Sequence, residues 1–180
     1  MSSNLNDALR VVKDFRPSPE EQKSWELTVA LLELTEAPFS RHQFQPGHIT
    51  CSALVFAPDG KRVLLMHHHR HQRWLLPGGH VEQEDASLAD AARRETEEET
   101  GVVTVNGAAR LTGMDVHGIP AHKGEPFHLH HDLIWALKAE SDTFACTDEA
   151  PRIAWCKLED LNDYAVPANI IRAAQNNAIR

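Results

Sequence analysis

The sequence predicts an α/β fold, because segments with strand-like alternation interleave with segments of helical periodicity. Two segments carry most of that expectation. Residues 128–139 (HLHHDLIWALKA) alternate as one long strand, and residues 86–100 form the strongest helix, stopped by Gly101. The length of 180 residues fits one decorated domain, and an apolar content of 42% supplies a sizeable core.

The chain opens with helices. Residues 5–14 make a short one. Ser18, Pro19 and Glu21 then form a start signal in which Ser18 caps, Pro19 takes the first helical position and Glu21 completes a capping box. Trp25, Thr28, Leu31, Leu32 and Thr35 recur at helical spacing until Pro38. Residues 1–46 are therefore expected to form an N-terminal helical extension, open to a role in dimerisation or in covering the sheet. Strands follow at 50–57, 62–66 and 74–76, the last broken by Pro77-Gly78-Gly79. Asp85 is the expected N-cap of the 86–100 helix. Further strands are expected from 102–105, 111–117, 128–139 and 152–156, and Pro167 starts a C-terminal helix.

The formal net charge of −8 disfavours nucleic acid and anionic membranes as partners. An acidic protein that handles an anion needs a local correction, from basic side chains or a bound cation. No apolar run approaches a membrane span, and the first residues carry no apolar signal region. Cys51, Cys146 and Cys156 match no zinc spacing, so reduced thiols and a cytoplasmic location are expected.

On a wheel of about 100° per residue, Leu88, Ala91 and Ala92 share a face with Glu95, Glu98 and Glu99, while Glu97 points away. Carboxylates crowded on an inward stripe repel each other and lose hydration. A hard divalent ion such as Mg²⁺ relieves both problems. The competing reading is a solvated charged face. The Pro77-Gly78-Gly79 turn upstream favours the metal, since glycine lets backbone approach a ligand closely.

The stretch PGGHVEQEDASLADAARRETEEETGV resembles the box of the Nudix (MutT-like) hydrolases. Arg94, Glu95, Glu98, Glu99, Gly101 and Val102 fall on its places, with Thr96 where an apolar residue is usual. The first half departs from the pattern. One extra residue separates Gly79 from Arg94, and Asp85 takes the position of the first glutamate. The resemblance extends over about residues 47–161 and implies an α/β/α sandwich around a mixed β-sheet, with residues 162–180 as a C-terminal helix packed on the core. It implies hydrolysis of a nucleoside diphosphate linked to another moiety, with Mg²⁺ or Mn²⁺. By motif match Glu95, Glu99, Glu98 and the Gly79 carbonyl are the metal ligands. Arg94 holds a glutamate in place, and the base that activates water is Glu98 or Glu149.

His117 and Asp115 share one side of their strand, as do His128, His130 and Asp132 of theirs. The set His117, His128 and His130 is expected to line the substrate pocket, with a second metal site such as zinc as the lesser reading. Arg73 is a candidate phosphate contact. The partner is then a small nucleotide or other diphosphate. Two further readings stand beside hydrolysis. One is a catalytically silent nucleotide-binding module, which the intact acids oppose. The other is a prenyl-diphosphate isomerase, which would need a reactive cysteine such as Cys51.

Overall fold

The computed structural model describes residues 5–107, 109–148 and 150–177. Helices α1 (Leu5–Asp14) and α2 (Gln22–Leu34) lead into strands β1 (Gly47–Phe56), β2 (Arg62–His68), β3 (Arg73–Leu75) and β4 (Gly78–His80). Helix α3 (Leu88–Thr100) follows, then β5 (Arg110–Ile119), β6 (His128–Lys138), β7 (Arg152–Lys157), a 3-10 segment (Leu158–Tyr164) and α4 (Ala168–Asn177). The strands form one mixed sheet with helices on both faces, an α/β/α sandwich.

The centre of the sheet is the parallel pair β1–β6, in register from Gly47↔Leu129 to Phe56↔Lys138. The other edge of β1 is shared. It meets β2 only at Phe56↔Val63, and β4 at Thr50↔His80 through Ser52↔Gly78. Strands β1 and β2 therefore part, and residues 73–80 fill the wedge, pairing first with β2 and then with β1. Strand β7 takes the far edge of β2, and β5 lies antiparallel on β6.

Alternation along β1 separates two cores. Ile49, Cys51, Ala53 and Val55 face α1, α2 and α3 in one cluster, with Leu31, Leu32, Leu88 and Ala91. Leu54 and Phe56 face the 3-10 segment and α4 in the other, with Leu161 and Ile170. Toward the start of β1 this second face turns polar, at His48, Thr50 and Ser52.

Helix α2 also closes a sheet edge. The Met114 and Val116 amides of β5 donate to Glu21 Oε1 (3.3 Å) and Ser24 Oγ (3.1 Å), groups that an open edge would leave to solvent. The Trp25 indole nitrogen donates to the Val12 carbonyl and ties α2 to α1.

Several boundaries differ from expectation. Residues 19–21 are a turn, so α2 starts after Pro19 rather than at it. Ser18 donates its amide and hydroxyl to Glu21 Oε2, which keeps the glutamate half of a capping box, while the Glu21 amide donates to the Ser18 carbonyl. Helix α3 is capped by Ser87, whose hydroxyl accepts from the Asp90 amide, and not by Asp85, which is drawn to Arg94 instead. Residues 102–105 form a single bridge, Thr104↔Ala139, rather than a strand. Strand β4 and the 3-10 segment were not expected.

His131 sits in the first core, 1% exposed, with Nδ1 3.2 Å from the Thr28 hydroxyl. Burial pushes its pKa down to about 4. A depressed folded-state pKa makes its contribution to stability complete above the unfolded value of about 6.5 and lost as pH falls toward 4. The urea midpoint should therefore fall across that window, and His131→Gln should flatten the decline. A pH series of urea melts on both proteins checks this.

Candidate active site at the β4–α3 junction

Helix α3 brings its acids to the glycine strand. Gly101 ends the helix in the left-handed region (φ 66°), and its amide donates to the Glu97 carbonyl. Two residues earlier the Glu99 carboxylate is buried and accepts from the Gly78 amide at 2.8 Å. The Glu95 side chain, 16% exposed, reaches Gly79 so closely that a Cβ there would lie 2.6 Å from its carboxylate. Only glycine fits that approach.

The three acids do not share one environment. Glu95 and Glu99 turn inward, but the Glu98 side chain is 59% exposed. The expectation of three inward carboxylates is corrected at this position: Glu98 lies on the rim of the stripe and reaches solvent. Glu97 is exposed, as its phase predicts. The buried Thr96 hydroxyl is satisfied within the helix, because it donates to the Ala92 carbonyl.

Arg94 connects these parts. Its guanidinium donates to both oxygens of Asp85 (3.0 Å each), to Glu95 (2.9 Å), to Glu98 (3.2 Å) and to the His80 carbonyl (2.8 Å). The hydrogen bonds to Asp85 are foremost in raising its pKa above the usual arginine value. Asp85 is buried, and its other contact is the Glu82 amide. The Asp85 side chain thus pins the loop before α3 to the helix. Burial, and then repulsion from Glu98 and Glu82, raises the Glu95 pKa against the pull of Arg94. All donors here are oxygens: two inward carboxylates, one rim carboxylate and a glycine strand held against them. That set suits a hard divalent ion.

The histidines lie on the other side of β4. Strand alternation turns Gly79 toward Glu95 and His80 toward the opposite face. There the register sets His48 beside His130, His130 beside His117, and Asp132 beside Asp115. The two histidine strands are neighbours, as their sequence phase anticipates. His117, however, is 43% exposed and bound to Asp115 at 2.9 Å, which raises its pKa. The tight group is His48, His128 and His130, with ligand nitrogens within 4.8 Å of one another. Sequence reading missed His48 and His80. The polar alternation of His48, Thr50 and Ser52 is the signal that could have found the first of them. Burial pushes His130 down to about 2 and His80 down to about 4, so both are neutral imidazoles. Asp132 accepts from Thr50 at 3.0 Å, and burial raises its pKa.

The remaining candidates separate. Arg73 is exposed at the start of β3. Glu149 lies outside the described residues. Cys51 is fully buried on the α3 face, and desolvation pushes its thiol well above the usual range, which opposes the reactive cysteine that an isomerase needs.

An oxygen-donor cluster thus sits where a glycine strand meets an acidic helix on one face of the α/β/α sandwich. The NUDIX domain family model matches residues 46–174. A probable DHNTP pyrophosphohydrolase of Lactococcus lactis subsp. cremoris (strain MG1363) is 30% identical over 137 residues, spanning 74% of this chain and 79% of that protein. The fold is similar to a NUDIX-family hydrolase from Clostridium perfringens, with a TM-score of 0.53 at 23% identity over 73% of this chain and 95% of that one. It is also similar to the NUDIX domain of Shewanella oneidensis NrtR, solved with ADP ribose, with a TM-score of 0.56 at 20% identity over 79% and 98% of the two chains. The chain belongs to the Nudix family and is an enzyme of its pyrophosphohydrolase class. Among the described residues no helix is long and apolar enough to cross a membrane.

Gly79→Ala tests the close approach. The clashing atoms are the end of a flexible side chain, so the fold should lose no more than about 1–3 kcal/mol. The displaced Glu95 carboxylate should cost on the order of 100-fold in turnover. Thermal melts and steady-state kinetics on the same preparation check the split.

Proposed function

We propose that the chain hydrolyses a phosphate anhydride in a small nucleotide or other diphosphate substrate, assisted by Mg²⁺ or Mn²⁺. The observation that carries this is the approach of Glu95 and Glu99 to Gly78 and Gly79, which gathers hard oxygen donors at one place. Glu95, Glu99, Glu98 and the Gly79 carbonyl would hold the ion. Bound there, a divalent ion would neutralise anhydride oxygens and make water more acidic.

The chain's own residues supply the rest. Glu98 is the acid of the cluster in contact with solvent, which supports a role as the base that takes a proton from the attacking water. Glu149 is a second candidate for that step. Arg94 is a positioning residue: it orients Glu95 and Glu98 and fastens them to the loop through Asp85. His117 and Arg73 are open to solvent and carry or gain positive charge, which suits contact with an anionic substrate. His128 and His130, expected beside them, are more enclosed, with His128 3% exposed.

The Lactococcus relative makes DHNTP the leading substrate to try, with nucleotide sugars, ADP-ribose and oxidised nucleotides in the same panel. Release of phosphate or pyrophosphate should require Mg²⁺ or Mn²⁺ and stop on chelation. Glu99→Gln should lower turnover by more than about 100-fold. No cleavage across the panel, or a fully active Glu99→Gln protein, would sink the reading.

A further inference from the structure

We propose a second metal site, distinct from the glutamates, in which His48, His128 and His130 bind Zn²⁺ or a similar borderline transition ion. The three come from two adjacent strands and converge within 4.8 Å. A tetrahedral zinc with Zn–N bonds of about 2.0–2.1 Å holds its nitrogens about 3.3 Å apart, so modest side-chain rotation closes the site. Parallel pairing of His48 with His130 fixes the spacing of two ligands through the most extended ladder of the sheet.

The protonation pattern is already that of ligands. The Nδ1–H of His48 donates to the Gln43 carbonyl at 3.1 Å, and that of His128 donates to the Pro126 carbonyl at 2.8 Å. Each bond fixes the tautomer and leaves the Nε2 lone pair bare, as outer partners of metal-bound histidines do. The Nε2 of His48 is buried without a partner among the described residues, on a side chain with no exposure. A buried acceptor ordinarily finds a donor, and here it faces other imidazoles instead. The rings of His48 and His128 stack at 5.1 Å, and His130 stands 4.8 Å from His48. An ion would satisfy these lone pairs together. His80, 5.1 Å from His48 by ring centroid, or a water, would complete the coordination.

Donor chemistry separates this site from the other. Three imidazoles without a carboxylate favour Zn²⁺ and its neighbours over Mg²⁺, and the glutamate cluster has the opposite preference. Strand β4 stands between the two, with Gly79 serving one face and His80 the other.

Metal-free protein, held in saturating Mg²⁺, should be titrated with Co²⁺ and then Zn²⁺. One equivalent of Co²⁺ should give the visible bands of a tetrahedral nitrogen site, and Zn²⁺ should displace it and raise the melting temperature. His48 is wholly buried, and its replacement can unfold the chain, so His130→Asn is the primary variant. It should weaken Zn²⁺ binding on the order of 100-fold. Glu99→Gln should leave that binding unchanged. Binding by the histidine loop at residues 67–71 persists in His130→Asn and is subtracted by it. An absent tetrahedral spectrum, equal affinity in His130→Asn, or loss of Zn²⁺ in Glu99→Gln would each overturn the proposal. No turnover is measured, so the result is independent of the hydrolytic reading.

Discussion

The guanidinium of Arg94 is the contact on which the rest of the active region depends. It meets five oxygens from four residues, drawn from the loop, the glycine strand and its own helix. Without a cation in their midst, inward carboxylates on adjacent turns would repel each other. Arg94 offsets that repulsion while leaving the Glu95 carboxylate next to Gly79. An ordinary surface ion pair contributes little, but this one is bidentate, half-buried and part of a network. Asp85, buried and also bound to the Glu82 amide, ties the loop before α3 to that guanidinium.

Strand β4 divides a carboxylate cluster from a histidine cluster with only three residues. Its existence follows from the parting of β1 and β2, which leaves a wedge that a short segment can enter. Because consecutive side chains alternate, Gly79 and His80 serve opposite faces. The carbonyl of His80 is also fixed by Arg94, so the strand is held from the helix side while its imidazole joins the other group. The two faces are thus mechanically linked although their donors differ.

Much of this was legible in the sequence, and the losses have identifiable causes. Helix α1, the long strands and the acidic helix follow from periodicity, because a half-buried element repeats its apolar face at a fixed interval. The inward phase of Glu95 and Glu99 follows from the same rule. Glu98 fell on the edge of the stripe, where a few degrees decide exposure. Asp85 and Ser87 are both good caps in isolation, and only the presence of Arg94 across the loop separates them. Strand β4 was invisible because three residues show no period. His48 was missed for a different reason. Its alternation with Thr50 and Ser52 marks a polar face, but its neighbour His130 lies far along the chain, and parallel pairing at that distance leaves no sign of the partner in one sequence.

Helix α3 carries its acids at the end where backbone carbonyls already concentrate negative charge. No basic residue stands in its last turn to balance the dipole, and Gly101 caps it only through the backbone. The Ala145 amide and the Thr147 hydroxyl answer the Thr100 and Glu99 carbonyls, but neither carries charge. A divalent ion held by Glu95 and Glu99, as proposed, would act as the missing counter-charge at that terminus. Order in the last turn of α3 and loading of the site would then be coupled in one equilibrium.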